Sequence, residues 1–170
     1  SEARIMAGAL CWIGGTRYKP RFSALVDFAD ALLRGETRTL NGVLALPEGR
    51  DVRLTRELGA AQGPITPETG ATNVVWDNRW RIIPPSPPTP IGSASTAPPV
   101  PFPAGHTIRA LGDDILACKG WRDLGRPRAA LINTPAIYCG DTLVAAPLAG
   151  MQNGWQAQIV ANFYSFLLSH

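Results

Sequence analysis

The first part of the chain carries apolar residues at helical spacing. They recur every three to four positions in residues 3–13 and again in residues 22–33, and Gly35 follows the last of them. A glycine after an amphipathic segment is typical of a helix carboxyl terminus. The pattern predicts two helices joined by a loop at Gly14-Gly15, as the tail of a helical domain over residues 1–35.

From residue 36 onward the pattern changes to short segments in which polar and apolar residues alternate. Residues 39–46 predict one strand and residues 51–56 predict its return strand. In the return strand, Val52 and Leu54 are expected to face the core, whereas Arg53 points the other way, because successive strand residues face opposite sides.

Three later segments also have the pattern of strands. Residues 74–82 predict a hairpin that turns at Asp77-Asn78, since both residue types tolerate positive φ. Residues 106–111 predict a strand, and residues 136–145 predict a hairpin that turns at Gly140-Asp141.

The end of the chain predicts an amphipathic helix with Ile159, Val160, Phe163, Phe166 and Leu167 on one face. These elements predict an α+β fold. A helical hairpin is followed, over residues 36–170, by a mixed domain of antiparallel β-hairpins with a carboxyl-terminal helix.

A proline-rich insert interrupts this second domain. Residues 84–103 contain nine prolines in twenty positions. Because proline has no backbone N–H, the insert is expected to be extended or disordered rather than part of a sheet. Arg81, Pro84 and Pro87 fit the basic-x-x-P-x-x-P form that SH3 domains bind, although a linker between two strands also explains the segment.

Arginine dominates the basic residues of the chain. It provides 14 of the 16 Lys and Arg residues, while the net charge is only +3 and the isoelectric point is about 9.0. A planar, permanently charged guanidinium suits phosphate recognition and base stacking. The bias therefore favours a nucleic-acid-binding surface, but a genome rich in G and C would also favour Arg, Ala, Gly and Pro together.

Two groups of basic residues are the main candidates for RNA contacts. Lys119, Arg122, Arg126 and Arg128 lie within ten residues, with Asp123 as the nearby acid. Near Trp76 and Trp80, arginines could hold phosphates while the indoles stack on bases, or each Trp could simply fill the core. The full candidate set is Arg53, Arg79, Arg81, Arg109, Lys119, Arg122, Arg126 and Arg128.

Signals of catalysis and metal binding are missing from the sequence. It has no phosphate loop, nucleophile elbow or paired-carboxylate site, and Asp113-Asp114 is interpreted as a solvated turn or a helix start. Three widely spaced cysteines and two distant histidines predict neither a disulfide framework nor a zinc site. A reducing cytoplasm fits best, and the start at Ser1 suggests a domain cut from a longer protein.

Several segments resemble the carboxyl-terminal domain of bacterial tRNA(Ile)-lysidine synthetase. Residues 120–138 resemble a segment of that family in which a basic stretch and a proline lead into a hairpin, and Gly140-Asp141 resembles the turn of that hairpin. Residues 39–56, which end in Arg56-Glu57, are similar to an earlier hairpin of the family. Within the family, the chain resembles the alphaproteobacterial branch in three shorter segments, residues 76–80, 108–112 and 168–170.

The resemblance implies a function in tRNA modification. The family's enzyme uses ATP to adenylate the wobble cytidine of an isoleucine tRNA and then joins lysine to it. That chemistry belongs to an amino-terminal PP-loop domain with the motif Ser-Gly-Gly-x-Asp-Ser, and this motif does not occur in the chain. The resemblance therefore implies that this chain is a non-catalytic carboxyl-terminal part of the enzyme. It would bind tRNA and would be inactive alone.

The partners that the resemblance implies are tRNA and the amino-terminal catalytic domain of the same polypeptide. ATP and Mg²⁺ would bind to that domain, and no cofactor is expected in this chain. The proline-rich insert departs from the compact pattern of the family.

Two other classes of function stay open at the level of sequence. One is a protein-interaction module that uses the proline-rich segment or an apolar helix face. The other is an enzyme whose catalytic residues have no recognisable motif.

Overall fold

A computed structural model of the chain describes residues 2–88 and 98–169. Short helices and antiparallel strands alternate along these residues, which confirms the predicted α+β class. The helices are α1 (Glu2–Gly14), α2 (Phe22–Leu33), α3 (Arg128–Leu131) and α4 (Phe163–Ser169). The strands are β1 (Arg38–Leu40), β2 (Val43–Glu48), β3 (Asp51–Arg56), β4 (Val74–Trp76), β5 (Trp80–Ile83), β6 (His106–Ala110), β7 (Pro135–Cys139), β8 (Thr142–Ala145) and β9 (Gln156–Ile159).

The two amino-terminal helices pack against the first sheet, whose strand order is β1-β2-β3. The buried cluster between them, called the first core below, includes Leu10 of α1, Phe28 of α2 and Val43 of β2. Helices and sheet therefore share a core, because each covers the apolar side of the other. The domain boundary after residue 35 stays a prediction.

The predicted single strand over residues 39–46 is wrong. Asn41 and Gly42, with φ of 56° and 72°, form a tight turn, and Leu40 pairs with Val43 across it. Asn-Gly is the preferred sequence for a two-residue turn in which both residues have positive φ. That local preference breaks the apparent strand into the hairpin β1–β2.

The predicted burial of Val52 is also wrong, whereas that of Leu54 is confirmed. Val52 is 41% exposed because it lies close to the solvent-facing turn between β2 and β3. Leu54 packs against the first core, and the buried end of β3 is formed by Thr55 and Arg56.

The other two sheets have the strand orders β4-β5-β9 and β6-β7-β8, and they share a second core. Trp76, Ile108 and Ile137 are fully buried in it. On the opposite face of β7, Tyr138 belongs to a third cluster under the 3₁₀ segment Gly112–Ala117. The sheet β6-β7-β8 is thus buried on both faces, and it supports the segment that follows β6.

Both predicted turns in this region are confirmed. Asp77 and Asn78 each have φ of 55°, and the Arg79 N–H donates to the Trp76 carbonyl 3.2 Å away. Gly140 has φ of 60° and begins the turn between β7 and β8.

The terminal helix is shorter than predicted. Ile159 belongs to β9, where it pairs with Trp80 of β5, and the Val160 N–H donates to the Arg79 carbonyl at 2.9 Å. Residues 156–159 alternate between exposed and half-buried positions, which is the period of a strand. Ile159 and Val160 therefore pair along the open edge of β5 and do not join the helix, which begins at Phe163.

The proline-rich insert falls partly on residues 89–97, which lie outside the described residues. Both of its described ends contain a buried residue, and one end packs against the second core. Pro84 is buried, and Phe102 packs against Trp155 with ring centroids 5.4 Å apart. In the part of the chain that the structure describes, no helix is long and apolar enough to cross a membrane.

Candidate nucleic-acid interface

Arg56 is a structural residue rather than an RNA contact. Its Nε donates to Asp77 Oδ2 at 2.9 Å, and one terminal nitrogen donates to Asp77 Oδ1 at 3.0 Å. The carbonyls of Gly42 and Ala60 accept the other hydrogen bonds of the guanidinium, at 3.0 Å and 2.6 Å. Asp77 Oδ1 also accepts from the Gln62 N–H at 2.9 Å. Both carboxylate oxygens of Asp77 are therefore engaged within the protein.

A third hairpin is tied to the same junction by Asn133, which lies two residues before β7. The Asn133 amide nitrogen donates to the Arg56 carbonyl at 2.7 Å and to the Ala129 carbonyl at 2.6 Å. Asn133 and Arg56 are both buried. Because buried polar groups are costly unless hydrogen-bonded, these contacts fix how the three hairpins meet.

Arg109 of β6 and Tyr138 of β7 lie on the same face of their sheet, and the contacts of Arg109 hold its side chain there. Its guanidinium lies 3.8 Å from the centroid of the Tyr138 ring, and one terminal nitrogen lies 3.7 Å from Asp114 Oδ2. The Tyr138 hydroxyl donates to the same carboxylate oxygen at 2.7 Å. Burial is the largest cause that raises the pKa of Tyr138, and this hydrogen bond is the next largest. The hydroxyl therefore stays protonated and acts as a donor.

The segment 119–128, called the basic loop below, lies mostly at the surface. Two glycines with positive φ, Gly120 at 84° and Gly125 at 70°, bracket its short 3₁₀ helix, Trp121–Leu124. The Trp121 ring packs partly against the third cluster, and the Arg122 guanidinium lies 4.7 Å from its centroid. A cation over an indole face is favourable, and Arg122 is held at the surface without an acidic partner among the described residues.

The charges of the basic loop are only partly compensated. Arg128 pairs with Asp113 at 2.7 Å, and Arg109 pairs with the adjacent Asp114. Both aspartates lie in the first turn of the 3₁₀ segment, which agrees with the interpretation of Asp113-Asp114 as a helix start. The contacts bring Arg109 and Arg128 to the same turn.

Three side chains of the basic loop, Lys119, Arg122 and Arg126, are exposed and have no ion pair within the described residues. Guanidinium and ammonium groups of this kind are free to contact phosphates. Together with Arg128 of the same loop and Arg109, which pair with adjacent aspartates, they form one candidate surface with a net positive charge.

The other three predicted candidates make no hydrogen bond or ion pair, in the described ranges, with the basic loop or with the turn at Asp113 and Asp114 that connects Arg109 to Arg128. Arg53 pairs with Glu48 at 2.6 Å, and exposed Arg81 donates to Asn73 Oδ1 at 3.1 Å. Arg79 lines a cavity beside α1 and α4. The structure thus divides the eight candidates into one cluster of five and three separate arginines.

The two tryptophans near Arg79 serve the core. Trp76 is fully buried, and its Nε1 donates to the Gly63 carbonyl at 3.2 Å. Trp80 is half-buried against the same core. Packing of the core is therefore the correct interpretation for Trp76, whose ring has no face open to a base. The stacking of Arg122 on Trp121 was not predicted, although the adjacent Trp-Arg pair was a local signal for it.

A comparison with known proteins gives a relative in tRNA modification. The chain is 36% identical over 171 residues to the tRNA(Ile)-lysidine synthase of Ruegeria pomeroyi. The match covers 98% of this chain and 36% of the relative, so the chain spans about a third of that relative's length. It confirms the resemblance and is consistent with a carboxyl-terminal region of that enzyme. No family model and no solved structure matches the chain.

Proposed function

We propose that this chain is the tRNA-binding, non-catalytic part of a tRNA(Ile)-lysidine synthetase, and that it holds tRNA mainly through the basic loop. The observation that carries the proposal is a set of exposed cations that have no acidic partner in the part of the chain that the structure describes, Lys119, Arg122 and Arg126, in the same loop as Arg128. The similarity to a lysidine synthase supports tRNA as the nucleic acid concerned.

The geometry favours contacts to the RNA backbone over contacts to base edges. The Arg122 guanidinium carbon lies 4.7 Å from the centroid of the Trp121 ring, and Arg128 and Arg109 are oriented by Asp113 and Asp114. Side chains spread along a surface segment in this way can follow a line of phosphates. Contacts to phosphates orient a substrate without reading its sequence, so the choice of isoleucine tRNA would depend on other parts of the enzyme.

The chemistry of lysidine formation falls outside this chain in the proposal. An amino-terminal PP-loop domain of the same polypeptide would bind ATP and Mg²⁺, adenylate the wobble cytidine and accept lysine. The chain alone would bind tRNA and would not modify it. Its location with tRNA in the cytoplasm is part of the same proposal.

The alternative, a protein-interaction module built on the proline-rich segment, has weaker support. Pro84, one of the two prolines of the SH3-type pattern, is buried in the structure. A partner domain would have to displace it from the core before binding.

The test is a tRNA-binding titration with the 170-residue chain at several salt concentrations. In the variant Arg122→Ala/Arg126→Ala, we expect weaker binding at low salt and a plot of log affinity against log salt that is shallower by about 1.4–1.8, at about 0.7–0.9 per lost phosphate contact. The matched control is Arg34→Ala/Arg38→Ala, which makes the same change in net charge at two exposed arginines that pair with Glu36.

Two outcomes would contradict the proposal. Equal loss of affinity in the basic-loop variant and in the control would mean that only net charge matters. An unchanged affinity of the basic-loop variant at low salt would exclude the basic loop as the tRNA site.

A further inference from the structure

Arg79 is a half-buried cation whose nearest carboxylate is already occupied. Its Nε is buried and has no hydrogen-bond partner within residues 2–88 and 98–169. Asp77 lies close enough to interact with it electrostatically, but both oxygens of Asp77 are engaged by Arg56. Trp80 offers only its ring, whose centroid is 5.5 Å from the guanidinium carbon of Arg79.

The electrostatic consequence is seen in the pKa of Arg79. Burial lowers this pKa to about 10; Asp77 offsets part of the effect, and the charge of Arg56 adds to it. The guanidinium is still protonated at neutral pH. A desolvated positive charge without a counter-ion is unfavourable, so an anion that reached it would be bound with a gain in free energy.

A cavity gives an anion access to Arg79. It has a volume of about 410 Å³ and lies between α1, the turn at Asn78, the end of β9 and α4. Cavities that hold small ligands have volumes of roughly 300–1,000 Å³. Its lining includes the side chains of Arg17 and Thr16, and it includes no Asp or Glu.

A smaller cavity next to it shares Arg17 and Cys11 with the first. It adds Arg4 and Lys19 to the lining, again without a carboxylate. None of these four basic side chains, Arg4, Arg17, Lys19 and Arg79, makes an ion pair in the described part of the chain. Within the described residues, the positive charge of this region is therefore not neutralised by ion pairs.

The frame of the cavity is held by hydrogen bonds that do not use the cations. Trp12 Nε1 donates to the Ala161 carbonyl at 2.8 Å, which joins α1 to the segment before α4. The Asn78 amide donates to the Gly15 carbonyl at 3.3 Å, and a Cβ at Gly15 would lie 2.7 Å from the Asp77 carbonyl oxygen. The close approach of these backbones fixes Arg79 and Arg17 on the same cavity.

We propose that this cavity binds a phosphate group, with the Arg79 and Arg17 guanidinium groups as its cationic ligands. Two sources of phosphate share that chemistry: the backbone of a bound RNA and a free phosphorylated small molecule. Only the first source rests on the proposed function. In that case the cavity is a second anchor for the same tRNA.

The first experiment measures the melting temperature of the 170-residue chain in increasing inorganic phosphate, with chloride used to keep the ionic strength constant. A ligand that binds the folded state raises the melting temperature, by about 3–6 °C at ten times its dissociation constant for a chain of this size. We expect this rise in the unmodified chain and in Arg50→Met, a control at an exposed turn residue.

The rise should be absent in Arg79→Met and strongly reduced in Arg17→Ala. Methionine replaces a desolvated charge with an apolar side chain of similar length, so Arg79→Met should fold at least as stably as the unmodified chain. Arg17 is exposed, and its variant keeps the fold for that reason. Equal stabilisation of all four proteins by phosphate, or no stabilisation of any, would overturn the proposal.

A second experiment identifies the source of the phosphate by measuring tRNA affinity. Weaker tRNA binding by Arg79→Met than by Arg50→Met assigns the site to the RNA backbone. Unchanged tRNA binding, together with stabilisation by phosphate, assigns it to a free phosphorylated molecule. The variant Arg122→Ala/Arg126→Ala should keep its response to phosphate. A failure of the proposal for the basic loop can therefore be distinguished from a failure of the proposal for the cavity.

Discussion

The Arg56 guanidinium and the Asp77 carboxylate form a buried, bidentate ion pair between residues that lie 21 positions apart. Arg56 ends β3 of the first sheet, and Asp77 begins the turn between β4 and β5 of the second. The side chains are only 9% and 4% exposed. The pair therefore joins two sheets, and it also leaves Arg79 without a carboxylate of its own.

Removal of one partner from this pair is expected to destabilise the fold strongly. Asp77→Asn is the sharper test, because Asn has nearly the same shape and tolerates the positive φ of this position. It leaves the charge of Arg56 buried and uncompensated, which should lower the free energy of unfolding by about 3–5 kcal/mol. Denaturation in urea, monitored by tryptophan fluorescence, measures the change.

The matched control for the ion pair is Arg34→Ala. Arg34 also makes a two-pronged contact, with Glu36, but both side chains are largely exposed to water. Exposed pairs contribute little to stability, so the midpoint of the denaturation curve should hardly move. If Asp77→Asn proves as mild as Arg34→Ala, burial is not what makes the Arg56–Asp77 pair important.

Gly42→Ala should destabilise the chain more than Gly49→Ala. Both glycines have positive φ in turns of the first sheet, so alanine is strained at each by about 1–2 kcal/mol. A Cβ on Gly49 has open space around it, whereas a Cβ on Gly42 meets the Arg56 guanidinium and lies 3.1 Å from the Ala60 Cβ. The added crowding should cost roughly a further 1–3 kcal/mol, measurable by the same denaturation curves. Equal losses for the two variants would mean that Arg56 can move aside.

The three cysteines should react with a thiol reagent at different rates. Cys139 is exposed at the end of β7, while Cys11 and Cys118 are buried. Burial raises the pKa of both buried thiols; Lys19 opposes the effect at Cys11 and Asp114 adds to it at Cys118. A raised pKa means less of the reactive thiolate at any given pH, so these two should react only slowly at neutral pH.

Titration of the folded chain with Ellman's reagent should therefore show one fast thiol, and denaturant should release the other two. Cys139→Ser serves as the control and should abolish the fast phase alone. A fast phase that persists in this variant would show that Cys11 or Cys118 is accessible, against the packing of α1 or of the third cluster.

Much of the secondary structure followed from local pattern. The helical spacing in α1 and α2, the turn at Asp77-Asn78 and the turn at Gly140 were predictable, because each depends on residues close in sequence. The strand pattern over residues 39–46 was misleading, since alternation continued through an Asn-Gly turn that should have taken precedence. Ile159 and Val160 fit a helix locally, and only the open edge of β5 explains why they pair instead.

The candidate site was predictable in part for the same reason. Lys119, Arg122 and Arg126 are close in sequence, so their grouping needed no knowledge of the fold. The sequence could not show that Arg109 meets Arg128 through Asp113 and Asp114, or that Arg17 and Arg79 line one cavity. Those neighbours come from separate strands and loops, which only long-range packing brings together.

The sequence by itself determined the α+β class, most of the helices and turns, the arginine bias and the resemblance to lysidine synthetases, because these depend on composition and on neighbouring residues. The tertiary structure alone decided the role of each arginine. Arg56 is a buried cation paired with Asp77, Arg122 is an exposed one, and Arg79 is a half-buried one whose Nε has no hydrogen-bond partner among the described residues. The side chain is the same in each case, and burial and the nearest carboxylate make the difference.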